Sequence, residues 1–187
     1  AVPLQLEGGG VCRVRLIDCV GYMVEGAMGH EEDEKPRMVK SPWFEEEIPF
    51  DLAAETGTRK VICEHSTIGI VVTTDGSVSD IPREGYARTE KRIVEELDAL
   101  GKPYIILLNS THPDAPETKQ LAEGMAQAYG RTVLPVSCLD LQKDDLLSIL
   151  QRVLYEFPVR ELDFAIPRWV TMLDKGHWLQ TEVYTAA

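Results

Sequence analysis

The stretch Val11–Gly21, VCRVRLIDCVG, decides the fold of this chain. The apolar and β-branched residues of Val11–Ile17 predict a β-strand. The preceding Val2–Leu6 alternates weakly, and Gly8–Gly10 join the two segments, which predicts a β-hairpin. The second strand delivers Asp18 at its carboxyl end, with glycine three residues later. This pattern holds Mg²⁺ and senses a terminal phosphate in many nucleotide hydrolases.

The phosphate-binding half of such a site is missing from these 187 residues, because no G-x-x-x-x-G-K-[ST] sequence occurs in them. We expect Asp18 to bind Mg²⁺ through water and Gly21 to offer its backbone N–H to a γ-phosphate, since a Cβ there would crowd the approach. Ras-like enzymes often place Gln after this glycine to orient the attacking water, whereas Tyr22 stands here. Slow hydrolysis is therefore expected, unless another segment or subunit orients the water.

The middle of the chain is irregular. Tyr22–Pro49 has no clean period and contains three prolines, which predicts a long, mobile insertion over about residues 22–52. Ala53–Glu64 has helical character that Gly57 interrupts.

Strands and helices alternate after residue 67, which is typical of a parallel sheet with helices on its faces. The predicted strands are Ile68–Thr74, Tyr104–Leu108 and Thr132–Val136, and the predicted helices are Arg88–Leu100, Pro116–Tyr129 and Asp144–Phe157. Beyond Pro158 the pattern breaks, with an alternating Val159–Ile166 and a possible short helix at Pro167–Val170.

Two further strand ends carry candidate ligand-binding residues, Asn109 and Ser137. Ligands of open α/β sheets bind at the carboxyl ends of the strands, and in Ras-like GTPases these two ends carry the base-reading N-K-x-D and S-A-K segments. Asn109–His112 reads NSTH, so the guanine-binding Asp is replaced by His. Without that carboxylate the charge-assisted bonds to guanine are lost, and adenine is the better prediction. Each motif alone also fits a turn residue or a chance match, and it is their order along the chain that favours a nucleotide site.

Composition narrows the class of protein further. A hydrophobic content of 44% is sufficient for a core, and a formal net charge of -12 argues against broad binding to nucleic acid. The four cysteines form no C-x-x-C pair, which predicts buried, reduced thiols in a cytosolic protein. No apolar run is long enough to span a membrane.

Several longer segments together carry a family resemblance, and the chain resembles the stage IV sporulation protein A family from about Val11 to Trp178. The segments are Ile17–Tyr22, Val24–Ala27, Pro42–Phe50, Gly57–Ile62, His65–Gly69, Val72–Gly76, Leu108–Pro113 and Leu154–Glu161.

The resemblance implies a GTPase-like P-loop protein that hydrolyses ATP with Mg²⁺ while it polymerises into the basement layer of the spore coat. It implies that Asp18 is the Walker B aspartate and that Asn109 lies in the altered base-reading motif. The implied partners are further copies of itself, spore-coat proteins and a small membrane-anchoring coat protein. The implied location is the mother-cell cytoplasm, at the outer forespore surface.

The resemblance also implies which parts are missing. The expected fold class is α/β, a Ras-like (TRAFAC-type) P-loop NTPase with a parallel sheet and an antiparallel hairpin edge, whose first strand and Walker A loop lie upstream of Ala1. Residues 1–157 are expected to be the remainder of the ATPase domain, and residues 158–187 the start of the following region. The lost strand would lie between Val11–Ile17 and Ile68–Thr74. We expect a separate N-terminal piece, a second copy or direct pairing of these neighbours to fill the gap.

Three functional hypotheses remain open from the sequence. The first is an ATPase domain whose hydrolysis drives coat assembly. The second is a non-catalytic assembly module, which the missing phosphate loop and Tyr22 favour for this fragment alone. The third is a different doubly wound fold such as a flavodoxin-like protein, although no phosphate-cradling loop for it is present.

Overall fold

Three parallel strands form the main sheet of the computed structural model, which describes residues 2–5, 11–29, 31–32, 35–157, 166–174 and 176–186. The chain divides into two compact units, residues 1–157 and 158–187, and the first contains the sheet.

The sheet has the order β7 (Gly69–Thr74), β8 (Tyr104–Asn109) and β9 (Val133–Val136), with all neighbours parallel. Central strand β8 is covered on both faces, so its residues from Tyr104 to Leu108 are all buried. Burial of each large apolar side chain contributes about 1.5–3 kcal/mol relative to exposure. The predicted parallel sheet and its three strands are therefore confirmed.

Three helices cover the two faces of this sheet: α2 (Arg83–Ala99), α3 (Pro116–Tyr129) and α4 (Lys143–Tyr155). Helices α2 and α3 share one core cluster with β7 and β8, and α4 packs in a second cluster on the other face of β8. Proline begins α3, and Gly130, with φ of 61°, ends it in the left-handed conformation that glycine adopts readily.

Helix α2 begins five residues earlier than predicted. The apolar spacing that predicted Arg88 as its start is absent from the first turns, which are polar, and the helix begins directly after the extended Pro82. The backbone geometry of Pro82 therefore marks the start of α2, whereas its apolar face begins later.

The amino-terminal hairpin is confirmed, but its second strand is shorter than predicted. Strand β1 (Val2–Gln5) pairs antiparallel with β2 (Val11–Val14). The predicted strand Val11–Ile17 thus ends at Val14, and residues 15–17 are exposed. Among the described residues no strand pairs with residues 15–17, so Asp18 does not directly follow a strand.

The predicted insertion contains two short antiparallel pairs. They are β3 (Glu31–Glu32) with β4 (Lys35–Pro36), and β5 (Met38–Val39) with β6 (Ile48–Pro49). Local pairing thus satisfies part of the backbone in a stretch that carries no periodic apolar pattern.

Gly57 does not interrupt the following helix, contrary to the prediction. Helix α1 (Phe50–Lys60) runs through it and continues as a π-helical turn, Val61–His65. A Cβ on Gly57 would lie 3.0 Å from the Trp43 ring, so this glycine makes room for the indole.

The cysteines are free, as predicted, but three of the four are exposed rather than buried. Cys19, Cys63 and Cys138 are exposed and Cys12 is half-buried. All four lie outside the strands of the main sheet, so the apolar runs beside them do not carry them into the core.

The second unit contains α5 (Arg168–Thr171) and α6 (Trp178–Ala186). Helix α5 confirms the predicted short helix after Pro167. The predicted strand Val159–Ile166 lies outside the described residues except for Ile166. Across the described ranges, no helix is both long enough and apolar enough to cross a bilayer.

The edge of strand β7 that lies away from β8 borders a cavity. Among the described residues no strand pairs with β7 on the side away from β8, so direct pairing of β2 with β7, one of the three predicted ways to fill the gap, is wrong. A cavity of about 530 Å³ lies along this edge. Its walls come from β7, from residues 17–24, from α2 and from the end of α1 with its π-helical turn.

Candidate functional site

The carboxyl ends of β7, β8 and β9 meet at one edge of the sheet, where open α/β sheets bind their ligands. Asn109, the last residue of β8, lies between Thr74 of β7 and Val136 of β9. Its carbonyl accepts a hydrogen bond from the N–H of Asp75 (3.3 Å), and its Oδ1 accepts one from the N–H of Cys138 (2.9 Å). Asn109 therefore links the loops that follow all three strands.

The Asn109 Oδ1 accepts one hydrogen bond, from Cys138, and keeps a second lone pair, so the side chain can both donate to and accept from a ligand. A purine base offers N7 as an acceptor in both adenine and guanine. An amide that donates to N7 and accepts from N6–H₂ pairs with adenine, whereas guanine presents the acceptor O6 at that place. The groups of Asn109 are therefore chemically suited to adenine.

Ser137 lies directly after β9, as predicted, and its side chain is engaged locally. Its hydroxyl donates to Asp140 Oδ2 at 2.6 Å, within the turn that leads to α4. The structure brings Ser137 and Asn109 to the same edge, because Cys138, the residue after Ser137, binds the Asn109 side chain.

Asp75, which sequence reasoning missed, is the most connected side chain at this edge. Its Oδ1 accepts bonds from the Ser77 N–H (2.9 Å) and hydroxyl (2.6 Å), and its Oδ2 accepts one from the Thr118 hydroxyl (3.4 Å). Burial alone would raise the pKa of the Asp75 carboxyl, but hydrogen bonds from Ser110 and Ser77 outweigh it and lower that pKa. Asp75 is therefore ionised at neutral pH.

The segment after β2 places Gly21 and Tyr22 near the amino ends of the strands, opposite the carboxyl edge. Gly21 exchanges two hydrogen bonds with Thr58 of α1, from its N–H to Oγ1 (3.0 Å) and from the hydroxyl to its carbonyl (3.2 Å). The Tyr22 hydroxyl donates to Glu96 Oε2 at 2.5 Å. Burial, together with this hydrogen bond, raises the pKa of Tyr22. Since α1 leads into the start of β7 and α2 ends just before β8, these contacts lie toward the amino ends of the strands.

The chain then runs along α2 toward the carboxyl edge. The Thr89 hydroxyl donates to the Met23 carbonyl (2.9 Å), and the Glu25 N–H donates to the Gly85 carbonyl (3.3 Å). Because Gly85 lies one turn from the start of α2, Glu25 lies closer to the carboxyl edge than Tyr22 does.

Asp18 is exposed and lines the cavity beside β7. The structure joins Asn109 and Ser137 at the carboxyl edge but does not bring Gly21, three residues after Asp18, to that edge. The metal and phosphate roles of Asp18 and Gly21 stay predictions.

Asp18 can serve as a Mg²⁺ ligand only if a bound nucleotide and water supply the other ligands. No group of three or more His, Cys, Asp or Glu side chains within the described ranges could hold a metal. Mg²⁺ commonly keeps several waters and is bound by one or two carboxylates together with substrate phosphates. A single exposed carboxylate such as Asp18 suits that arrangement, in which phosphates and water supply the other ligands.

A buried cluster of charged and polar side chains links α2 to α3 and to β7. Glu90 is 3% exposed, and its Oε1 accepts bonds from Arg83 Nη2 (2.8 Å) and the Tyr129 hydroxyl (2.7 Å). Arg83 also donates to the Thr73 hydroxyl (3.4 Å). Glu90 Oε2 has no hydrogen-bond partner among the described residues, and Glu90 lines the cavity along β7.

Helices cover the parallel sheet, and amide, hydroxyl and carboxylate groups lie along its carboxyl edge. This arrangement is typical of α/β proteins that bind ligands such as nucleotides at that edge. The family model described as Stage IV sporulation protein A, ATPase domain, matches residues 1–158, and the chain belongs to this family.

Relatives extend the match over nearly the whole chain. The chain is 47% identical over 180 residues to Stage IV sporulation protein A of Bacillus anthracis and to that of Bacillus subtilis (strain 168), covering 96% of this chain and 37% of each relative. It is 44% identical over 184 residues to Stage IV sporulation protein A of Clostridioides difficile (strain 630), covering 98% of this chain and 38% of the relative. No solved structure matches it. Membership in this family supports a role in sporulation and the use of a nucleotide.

Proposed function

We propose that this chain is the part of an ATP-hydrolysing domain that supplies Asp18 and the base-binding edge. In the full-length protein, hydrolysis accompanies self-assembly of the spore-coat basement layer. The observation that carries the proposal is the ATPase-domain family match over residues 1–158. The chain spans about 37% of the length of its relatives, so activity and assembly are proposed for the full-length protein and not for residues 1–187 alone.

The geometry of the carboxyl edge supports nucleotide binding. Asn109 presents a side-chain donor that suits purine N7, and the loops that follow β7, β8 and β9 are tied together around it. In this proposal Asn109 and Ser137 contact the base, Asp18 holds Mg²⁺ through water, and the Gly21 N–H faces the γ-phosphate. ATP and Mg²⁺ are the cofactors, and phosphoryl transfer to water is the reaction.

The finer fold we propose is the Ras-like arrangement with one further strand on the edge of β7 that lies away from β8. Support comes from the cavity along that edge and from Glu90, whose buried oxygen lacks a partner there among the described residues. A strand in this position satisfies the backbone groups along that edge of β7. It also displaces residues 17–24 from β7, which allows Asp18 to approach the carboxyl edge.

The proposed setting follows the family. The protein acts in the mother-cell cytoplasm at the outer forespore surface, and its partners are further copies of itself, other coat proteins and a small membrane-anchoring coat protein. Nucleic acid is not a proposed partner, since the chain carries a formal net charge of -12.

A non-catalytic assembly module is the alternative for this chain. It is favoured by the hydrogen bonds that hold Gly21 on Thr58 and Tyr22 on Glu96, away from Asn109. In that case the sheet is a scaffold and a nucleotide is at most a structural ligand.

A comparison of the full-length protein with residues 1–187 tests the proposal. We expect Mg²⁺-dependent ATP turnover by the full-length protein and no tight ATP binding by residues 1–187, because the phosphate loop supplies most of the phosphate contacts. Amide hydrogen exchange along β7 should be slow in the full-length protein and fast in residues 1–187, where none of the described strands pairs with that edge. A full-length protein that binds ATP without hydrolysing it would favour the assembly module.

A further inference from the structure

The loop that follows β7 contains a carboxylate that no site described so far uses. Asp75 comes directly after the strand, in the sequence Thr74-Asp75-Gly76-Ser77. Its backbone N–H donates to the Asn109 carbonyl, and its carboxylate accepts both donors of Ser77. This single residue thus contacts the main chain of β8 and organises its own loop.

Ser77 extends the contact from Asp75 to the base-binding segment. The Ser77 hydroxyl donates to Asp75 Oδ1 at 2.6 Å and accepts the Thr111 N–H at 2.9 Å. A hydroxyl that donates to an ionised carboxylate is oriented and polarised, which strengthens the bond it accepts. The position of the Thr111 backbone therefore depends on the charge of Asp75.

A second set of contacts around the Asp75 carboxylate helps to hold residues 110–112. Thr118 of α3 donates to Asp75 Oδ2 at 3.4 Å, and the Ser110 side chain, which is 1% exposed, helps to lower the pKa of Asp75. The Ser110 hydroxyl also accepts the His112 N–H at 2.9 Å, and the Ser110 N–H donates to the Val136 carbonyl. The backbone of residues 110–112 is thus held at three points.

We propose that Asp75 is a positioning residue for base recognition, which fixes the backbone of residues 110–112 beside the Asn109 side chain. The inference rests on the proposed ATP site and deepens it. Discrimination by the Asn109 amide depends on where it is held beside the base. The neighbouring backbone groups of residues 110–112 can add to that discrimination only if their segment is fixed.

The test measures nucleotide affinity and base discrimination in the full-length protein carrying Asp75→Asn. The amide keeps one oxygen but puts an N–H donor in place of the other, so at least one of the bonds from Ser77 and Thr118 is lost, and we expect the dissociation constant for ATP to rise about tenfold. The preference for ATP over GTP should fall by a similar factor, while kcat at saturating ATP changes less than about twofold. Asp80→Asn is the matched control, since Asp80 is an exposed aspartate of the same loop, and it should behave as wild type.

A second variant separates positioning from folding. Ser77→Ala removes only the bridge between Asp75 and Thr111 at an exposed position, and it should reduce ATP preference in the same direction. If Asp75→Asn does not fold, Ser77→Ala decides the matter. The proposal is overturned if folded variants keep the ATP affinity and the ATP-to-GTP ratio of Asp80→Asn. If the wild-type full-length protein binds no ATP, the proposed function itself fails and this inference fails with it.

Discussion

The full-length protein carrying Asp18→Ala should hydrolyse ATP at least about 100-fold more slowly than wild type, because in the proposed site the substitution removes the carboxylate that holds Mg²⁺ beside the phosphates. Asp18 is exposed, so the loss of its carboxylate should leave the free energy of unfolding almost unchanged. Turnover is measured as phosphate release at saturating ATP over a range of Mg²⁺ concentrations.

Asp80→Ala is the control for this measurement, since it removes another exposed carboxylate from the same unit and should hydrolyse ATP as wild type does. Unaltered turnover by Asp18→Ala would show that the role given to Asp18 is wrong. A partial loss that higher Mg²⁺ restores would instead place Asp18 on the metal as proposed.

The second large effect is on stability. Arg83→Met should lower the free energy of unfolding by about 3–5 kcal/mol, because it leaves the buried Glu90 carboxylate without its cation. The Glu90 side chain is 2% exposed and the Arg83 side chain 19% exposed, so the pair is largely shielded from bulk water. The double variant Arg83→Met with Glu90→Met removes both charges, and it should recover most of the loss. Urea unfolding followed by circular dichroism gives the values.

An exposed ion pair on the same helix provides the comparison. Lys91 and Glu95 lie 3.9 Å apart with side chains 70% and 67% exposed, and Lys91→Met should cost less than about 1 kcal/mol. Equal effects of Arg83→Met and Lys91→Met would contradict the structural importance assigned to the buried cluster.

The parallel sheet was predictable from sequence because burial leaves a direct pattern. Residues 104–108 form an unbroken apolar run since β8 is covered on both faces, and α3 carries its own proline start and glycine end. The irregular stretch from Tyr22 to Pro49 could not be predicted, because two-residue strand pairs leave no periodic signal. The length of β2 was overestimated because a strand also needs a partner, and none of the described strands pairs with residues 15–17.

The candidate site was predictable only where a residue ends a strand. Asn109 and Ser137 were found because they follow apolar runs, and the structure places both at the carboxyl edge. Asp75 also follows such a run, and its position directly after Ile68–Thr74 was the signal that could have found it. Its bonds to Ser77 are local, but its bond to Thr118 joins residues 43 positions apart in the chain, and no local pattern encodes that bond.

The location of Gly21 was beyond prediction for a related reason. A D-x-x-G pattern says which groups are available but not which partners compete for them. Here Thr58 takes both backbone groups of Gly21, and Glu96 takes the Tyr22 hydroxyl.

The distance between Cys19 and Cys138 tests the central claim most directly, since these exposed cysteines follow Asp18 and Ser137. With the other cysteines replaced by serine, spin labels on this pair report whether the metal-binding segment reaches the base-binding edge. We predict a shorter distance in the full-length protein with bound Mg²⁺ and ATP than in residues 1–187. The same distance in both would contradict the claim that Asp18 and Asn109 serve one nucleotide site.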